Sequence, residues 1–193
     1  MVRRGLTAEG IGAEGADLAD EVGLAEVTIS RVARRLGVRV PSLYAHLGGT
    51  EELLLRITAA SLDDLAERIS AEIAGRSGTD ALRAYADAVR VFAREHPGRY
   101  EASRRRVIAD APAFEEATGA AIAAGRRHAA LLAAVLRGVE VDGVQAVHAI
   151  RLIGSVVHGF VSLEGTGAFD HSSPPPEESW HRALVVLAGT LGE

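Results

Sequence analysis

The sequence predicts an all-α fold of about nine helices, and two observations carry this prediction. Alanine, the best helix former, dominates the apolar residues, and aromatic residues make up only 4% of the chain. Apolar segments with helical spacing are separated by glycine, proline and capping residues, and no segment alternates convincingly as a strand does. The 193 residues, 48% of them hydrophobic, suffice for a small domain fused to a larger one.

The first three predicted helices are defined by their ends, and they cover residues 6–22, 29–36 and 41–47. Thr7 and Thr28 are the expected N-caps of the first and second helices, and Gly37 ends the second. Pro41 opens the third helix, because a proline in the first turn lacks only an N–H that would have no partner there.

Six further helices are predicted over residues 50–74, 80–95, 100–107, 113–136, 142–163 and 177–191. Thr50 is the expected cap of the first of them, followed by two glutamates. The longest irregular stretch, residues 165–176, contains three consecutive prolines. The last helix carries an apolar stripe of Trp180, Leu184, Leu187 and Leu191.

The charge of the chain is unevenly distributed. The formal net charge is −5, but residues 28–47 carry four arginines and no acid, whereas the flanking segments are both acidic. A positive segment in an acidic protein indicates a surface for nucleic acid. The alternative is that a stretch of this length lacks acids by chance.

Several classes of function are excluded or not expected. The absence of cysteine excludes disulfides, thiolate metal sites and cysteine nucleophiles. The histidines are scattered, and no metal-ligand spacing, phosphate-binding glycine loop or nucleophile motif is present, so we expect no catalytic site, no metal, no cofactor and no enzyme. Without an apolar run behind the N-terminal arginines or an uncharged membrane-length segment, we expect a cytoplasmic protein with no membrane partner.

Residues 28–47, TISRVARRLGVRVPSLYAHL, have the spacing of a helix-turn-helix. Ala33 is small where two helices approach closely, Gly37 supplies the turn, and Leu43 packs the third helix onto the second. Val32 and Leu36 complete a small core. The second helix of such a pair is placed to enter a major groove.

This segment resembles the DNA-binding domain of the tetracycline-repressor (TetR) family. The resemblance lies in residues 21–24, Val27-Thr28, Ala33, residues 36–38 and above all residues 43–47, followed by the acidic start of a long helix. It implies a DNA-binding domain at residues 1–48 and a regulatory domain at residues 49–193. The implied DNA-binding residues are Thr28, Arg39, Val40, Pro41, Ser42, Tyr44 and His46.

The resemblance also implies a role for each of these residues. Thr28, Tyr44 and His46 would contact the phosphate backbone, and residues 39–42 would face the floor of the groove. Arg39 has the chemistry to pair with both acceptors of guanine. Alternatively, Tyr44 covers a domain junction, His46 caps a helix, and Arg39 is a solvated charge.

The chain departs from the family pattern at two positions. Arg39 stands where the family usually caps the recognition helix with serine or threonine, and Thr50 stands where it often has a lysine. The loss of that lysine removes one phosphate-binding charge. Arg3 and Arg4 either compensate as an arm on the DNA or form a free tail.

The larger domain resembles a subgroup with a Trp-His-Gly signature, which would be Val157-His158-Gly159 here, with valine in place of tryptophan. In such proteins the last two long helices, here about 142–163 and 177–191, pair with their copies in a homodimer. Gly154, Ser155 and Gly159 give a small-residue face, and we expect the leucine stripe to add an apolar one. The alternative is that the stripe packs within the chain.

A ligand cavity is expected among the helices of the larger domain, mainly apolar and with few polar groups. The candidate ligand-binding residues are Tyr85, Val89, Phe92, Tyr100, His128, Leu132, Val156 and His158. Each of them could equally be plain core. The run Arg104-Arg105-Arg106 either meets an anion or is a solvated face.

These observations predict a dimeric transcriptional regulator, most often a repressor in this family, that a small apolar molecule releases from a palindromic operator on double-stranded DNA. One alternative is an activator, or a regulator without a ligand. The other is a helical small-molecule-binding or scaffolding protein that has lost DNA binding.

Overall fold

A computed structural model describes residues 6–108 and 112–191, and these residues form nine α-helices, two 3₁₀ turns and no strand. The helices are α1 (Ala8–Val22), α2 (Ile29–Leu36), α3 (Val40–Tyr44), α4 (Thr50–Ile73), α5 (Gly78–Glu95), α6 (Pro97–Ser103), α7 (Glu115–Arg137), α8 (Gly143–Gly165) and α9 (Pro176–Thr190). The 3₁₀ turns are Leu24–Glu26 and Pro112–Phe114. The prediction of an all-α fold is confirmed.

The caps that define the first helices are formed as the sequence predicts. The side chain of Thr7 accepts a hydrogen bond from the Gly10 N–H, and Thr28 Oγ1 accepts one from the Arg31 N–H at 3.2 Å. Thr50 differs, because it is the first helical residue of α4. The segment before α4 is held instead by Glu52, whose carboxylate accepts a hydrogen bond from the Gly48 N–H at 2.7 Å.

The described residues fall into two compact units. The first contains the residues up to Ala66 and those from Glu95 to His128. One of its cores is formed where α1, α2, α3 and the start of α4 pack together, with Ile11, Leu18, Val32, Leu43, Leu53 and Ile57 among the buried side chains. This compact unit includes residues beyond position 48. The division into a DNA-binding domain at residues 1–48 and a regulatory domain at residues 49–193 therefore remains a prediction.

The second unit contains residues 67–94 and the described residues from Ala129 onward. Its buried side chains come from the end of α4 and from α5, α7, α8 and α9, and Trp180 is completely buried. The Trp180 Nε1–H donates to the Asp87 carboxylate at 2.6 Å. This bond gives the single polar atom of the indole a partner, as a buried tryptophan requires.

The apolar stripe of α9 packs within the second unit. Leu184 and Leu187 are 2% and 4% exposed in the single chain, so they are core residues. For these two leucines the expectation of a place in the dimer surface is wrong and the alternative of internal packing is right, whereas Leu191 is only partly buried and its role remains a prediction. An amphipathic pattern shows that a helix has an apolar face without showing what covers that face.

The opposite faces of α8 and α9 remain apolar and exposed, at Val144, Val147, Leu152, Leu163, Val185 and Val186. Within the described ranges, α8 is the one helix long and apolar enough to cross a membrane, with a mean hydropathy of 1.5 over its most apolar window. Its buried positions, Ala149, Ile153, Val157 and Val161, recur every four residues, as the core-facing positions of a packed helix do.

Candidate nucleic-acid interface

The helix-turn-helix is held by a small buried core between α2 and α3. Val32, Ala33 and Leu43 are at most 1% exposed, and Leu47, which follows α3, is 2% exposed. Alanine at position 33 allows the two short helices to approach closely. The predicted roles of Ala33 and Leu43 in packing α3 onto α2 match this arrangement.

The turn between the two helices depends on Gly37. Its φ of +67° lies in the left-handed region, where a Cβ would be strained. The Gly37 N–H donates to the Arg34 carbonyl at 3.1 Å, and the Val38 N–H donates to the Ala33 carbonyl at 3.0 Å. These bonds close the end of α2 and fix the direction in which α3 begins.

One face of α3 is open to solvent. Tyr44 is 56% exposed, although Leu43 beside it is completely buried. Pro41, Ser42 and His46 are also exposed. An aromatic ring that is more than half exposed in the single chain is available for a partner.

The beginning of α3 has no side-chain cap. Arg39 occupies the N-cap position with extended backbone dihedrals, but its side chain accepts no hydrogen bond from the first turn, since a guanidinium has no acceptor. Arg39 is exposed, and Val40 is partly buried. At its other end the helix is capped by Ala45, not by His46.

Two of the four arginines in the positive segment are neutralised by acids of the preceding helix and turn. Arg31 contacts Glu26 at 2.9 Å, and Arg35 contacts two carboxylates at 3.0 and 2.7 Å, those of Glu14 and Glu21. The local net charge is therefore smaller than the sequence count of four. That count could not anticipate these ion pairs, because they depend on how α1 packs beside α2.

Arg34 and Arg39 are exposed, and neither has a carboxylate partner within the described part of the chain. Arg34 was missed as a site residue, since its position on α2 gave no reason to separate it from Arg31 and Arg35. The free positive charge of the helix-turn-helix is thus concentrated at these two guanidinium groups. Arg3 and Arg4, the possible accessory arm, lie outside the described residues.

A buried arginine joins the start of α4 to its neighbours. Arg56 is 6% exposed, and its guanidinium contacts three carboxylates at 3.0 to 3.3 Å, those of Glu9, Glu52 and Glu116. Glu52 also accepts the Gly48 N–H, so one side chain connects the segment after α3 to this ion-pair cluster. The residues that follow the recognition helix are thereby anchored.

The start of α6 is packed tightly against α1. A Cβ on Gly98 would lie 2.1 Å from the backbone carbonyl of Ala19, so only glycine fits. The Arg99 N–H donates to Asp20 at 2.8 Å, and the Arg99 guanidinium also pairs with Asp20 and Asp17. His96 Nδ1 lies 3.0 Å from Asp20. Together these contacts hold the start of α6 against α1.

The predicted ligand residues lie in both compact units. Tyr85, Val89, Phe92 and Leu132 are buried in the second unit, where His158 is partly buried. Val156, with Leu152, lines an open groove of about 700 Å³ between α8 and α9. That all the predicted ligand residues line one cavity remains a prediction.

Two predicted ligand residues belong to the first unit and have shifted ionisation. Burial lowers the pKa of His128 below its ordinary value of 6.5, and the positive charge of Arg104 acts in the same direction. Burial raises the pKa of Tyr100 above 10, against the smaller opposing effect of Arg104. Near pH 7 both rings are neutral, and each can donate and accept hydrogen bonds.

Comparison with known proteins decides the family. The sequence model of the bacterial regulatory proteins of the tetR family matches residues 11–57, and that of the tetracycline-repressor-like C-terminal domain matches residues 82–187. The second match alone covers more than half of the chain. The chain belongs to the TetR family. It is a TetR-type helix-turn-helix transcriptional regulator, which bears out the resemblance seen in its sequence.

Two relatives and one solved structure illustrate the similarity. An uncharacterised HTH-type transcriptional regulator of Mycobacterium tuberculosis is 38% identical over 152 residues, which are 78% of this chain and 66% of the relative, just under two thirds of its length. The uncharacterised regulator YobS of Bacillus subtilis is 27% identical over 98% of this chain and 95% of its own. The TetR family protein ActR of Streptomyces coelicolor, solved with (S)-DNPA, shares the fold at a TM-score of 0.67 and 16% identity, covering 98% of both chains.

The uncapped start of α3 leads to a prediction that separates stability from DNA recognition. In this TetR-family chain, Arg39→Ser adds the missing cap and should raise the free energy of unfolding by about 0.5 to 1 kcal/mol. It also removes the guanidinium, so discrimination between operator and unrelated DNA should fall by about 1 to 3 kcal/mol if Arg39 pairs with guanine. Urea unfolding and DNA titration measure the two effects.

Arg34→Ser is the matched control, because it removes an unpaired arginine without adding a cap. It should give no gain in stability and should weaken binding to all duplexes equally. An Arg39→Ser protein that still prefers its operator to the full wild-type extent would show that Arg39 reads no base.

Proposed function

We propose that this TetR-family regulator binds a palindromic operator as a homodimer and is released from it by a small, mainly apolar molecule. Each protomer inserts α3 into a major groove of double-stranded DNA. Phosphates are contacted by Thr28, Tyr44 and His46, and the groove floor is met by Arg39, Val40, Pro41 and Ser42. Such a regulator acts in the cytoplasm, where bacterial DNA lies.

The observation that carries the proposal is the exposed face of α3 on a rigid support. Tyr44 is 56% exposed while the adjacent Leu43 is completely buried, and Arg34 and Arg39 have no carboxylate partner among the described residues. A tyrosine hydroxyl and unpaired guanidinium groups are the donors that DNA phosphates and guanine accept from. This face also argues against the alternative of a helical protein that has lost DNA binding.

The exposed faces of α8 and α9 support a dimer. Val144, Leu152, Val185 and Val186 are 43% to 72% exposed in the single chain. A Cβ built on Gly154 or Gly159 meets nothing within 4 Å, so a second helix could approach α8 closely there. Exposed apolar surface of this kind marks an interaction site, and two-fold symmetry suits two half-sites about 34 Å apart.

The ligand part of the proposal has two supports. A solved TetR-family neighbour, ActR, carries (S)-DNPA. In this chain the predicted ligand residues combine buried apolar side chains with the neutral rings of Tyr100 and His128. A ligand shifts the DNA-binding equilibrium only by its differential affinity for the two arrangements of the regulator, so it must contact residues that differ between them.

The experiment is the selection of bound duplexes from a randomised pool, followed by titration of the enriched sequence with wild type, Tyr44→Ala and Tyr44→Phe. We expect a palindrome, and we expect Tyr44→Ala to weaken binding at least about tenfold, because a contact worth about 1.4 kcal/mol is lost. Tyr44→Phe should weaken it nearly as much if the hydroxyl bonds a phosphate. The unfolding midpoint should not change, since the ring is mostly exposed.

Each outcome has a distinct meaning. An enriched single half-site would contradict the homodimer. No enrichment at low salt, where phosphate contacts are strongest, would overturn DNA binding by the free protein and favour the small-molecule-binding or scaffolding alternative. Displacement of the protein from its operator by a small apolar molecule would support the ligand step, and a screen in which none acts would favour a regulator without a ligand.

A further inference from the structure

A shallow groove adjoins the helix-turn-helix within the first unit. It has a volume of about 520 Å³ and lies between the turn that precedes α2, the start of α4 and the end of α6. Its lining residues are Leu24, Ala25, Val27, Thr50, Leu54, Glu101, Arg104 and Arg105. Two arginines of the run at positions 104–106, Arg104 and Arg105, therefore lie beside the segments that flank the helix-turn-helix, which the sequence could not show.

The groove borders positions proposed to lie on the DNA backbone. Val27 immediately precedes Thr28, the cap of α2, and Thr50 begins α4. Any cation lining this groove is thus close to Thr28, a residue proposed to contact phosphate.

The two arginines of the groove differ in their contacts. Arg104 is exposed and has no carboxylate partner among the residues described. Arg105 Nη2 lies 3.3 and 3.4 Å from the two carboxylate oxygens of Glu51, whose side chain is 55% exposed. Their backbone positions are fixed, because the Arg104 and Arg105 N–H groups donate to carbonyls of the last turn of α6, each at 3.1 Å.

The chemistry of these side chains fits phosphate. A guanidinium offers donors in a planar fork that matches two phosphate oxygens, and it stays charged at every physiological pH. The ion pair between Arg105 and Glu51 is exposed and long, so it contributes little and can be exchanged for a phosphate. Glu101 lines the same groove, and its negative charge disfavours a bound anion there. Removing this charge should therefore strengthen DNA binding, whereas removing an arginine should weaken it.

We propose that Arg104 and Arg105, which directly follow α6, bind phosphates of the DNA backbone beside the helix-turn-helix. This contact anchors the protein on any duplex and reads no sequence. The proposal rests on the proposed DNA-binding function, and the experiment below distinguishes the failure of one from the failure of the other.

The experiment measures the salt dependence of DNA binding by the full chain. Wild type and the double variant Arg104→Ala/Arg105→Ala are titrated with the enriched operator and with an unrelated duplex over a range of salt concentrations. The slope of the logarithm of Kd against the logarithm of salt concentration should fall by about 0.9 for each lost phosphate contact. Affinity for the two duplexes should fall by the same factor.

Two further variants sharpen the test. The double variant Arg126→Ala/Arg137→Ala removes two exposed arginines of α7, ten and 21 residues beyond Glu116, and so controls for the loss of two positive charges. Glu101→Gln removes the opposing carboxylate and should strengthen binding to both duplexes. Thermal unfolding of each variant establishes that it is folded before its affinity is compared.

The outcomes separate the two proposals. If wild type shows no salt-dependent binding to any duplex, the DNA-binding function itself fails. If wild type binds and Arg104→Ala/Arg105→Ala keeps the slope and affinity of Arg126→Ala/Arg137→Ala, only the phosphate contact at Arg104 and Arg105 is overturned, and these two arginines form a solvated face. A loss confined to the operator would also overturn it, because a phosphate contact cannot depend on sequence.

Discussion

Replacing Gly98 with alanine is expected to destabilise the first compact unit by at least about 3 kcal/mol, although alanine is the better helix former. The new Cβ would lie 2.1 Å from the carbonyl carbon and oxygen of Ala19 and 2.6 Å from the Asp20 nitrogen. These are backbone atoms of α1, which cannot rotate away as a side chain can. Overpacking a core typically costs about 1 to 3 kcal/mol, and a clash with backbone belongs at or beyond the upper end of that range.

The expected loss runs against helix propensity, which makes the test sharp. Alanine in place of glycine within a helix ordinarily stabilises by about 0.5 to 1 kcal/mol. Moving α6 away from α1 to relieve the clash would also pull Arg99 from the carboxylates of Asp17 and Asp20. Relieving the clash would therefore cost both these ion pairs and the close packing of α6 on α1.

Urea unfolding followed by circular dichroism measures the effect. Gly119→Ala in α7 is the matched control, since a Cβ there meets nothing within 4 Å, and it should raise stability slightly. Equal midpoints for Gly98→Ala and Gly119→Ala would refute the close packing of α6 on α1.

The parts of the fold that the sequence predicts well are those specified by neighbouring residues. The cap at Thr28 and the turn at Gly37 depend on backbone groups within four residues, so residue type and spacing suffice to place α2 between them. The packing roles of Ala33 and Leu43 in the helix-turn-helix likewise depend on residues that are close in sequence. The exposure of Tyr44 follows as well, because Leu43 and Leu47 take the buried face.

The remaining features depend on contacts between residues that are distant in sequence. Whether Arg31 and Arg35 are free or paired is decided by acids that α1 and the following turn bring beside them. The need for glycine at position 98 exists only because α1 crosses α6 there. The spacing of the leucines of α9 shows that the helix has an apolar face. It does not show that this face is buried within the second unit, because that depends on the other helices.

Arg90 and Glu164 form the ion pair whose loss we expect to weaken the second unit most. Arg90 is 5% exposed, and its Nε and Nη2 donate to the two oxygens of Glu164 at 3.0 and 2.7 Å. Its guanidinium also lies 5.1 Å from the Trp180 ring and 5.5 Å from the Phe160 ring. Arg90→Met should cost about 3 kcal/mol, since it leaves a partly buried carboxylate without its partner.

The exposed second partner of Arg90 provides a control. Glu177 accepts from Nη1 at 2.7 Å, but its side chain is 57% exposed, whereas that of Glu164 is 18% exposed. Glu177→Gln should therefore cost less than about 1 kcal/mol, because water solvates and screens that charge. The double variant Arg90→Met/Glu164→Leu should recover part of the loss, since no unpaired charge remains. Equal losses for Glu164→Gln and Glu177→Gln would contradict the ranking by burial.

The same pair makes stability depend on pH in a defined direction. Hydrogen bonding to Arg90 holds the pKa of Glu164 below its ordinary value of 4.5, against the opposing effect of burial. A carboxylate with a lowered pKa in the folded state stabilises fully above its unfolded pKa and loses that contribution as the pH falls through the folded value. The difference in unfolding free energy between wild type and Glu164→Gln should therefore be constant from pH 7 to about pH 5.5 and shrink steadily below pH 4.5. A difference that stays constant down to pH 3 would show that Arg90 does not favour the charged form of Glu164.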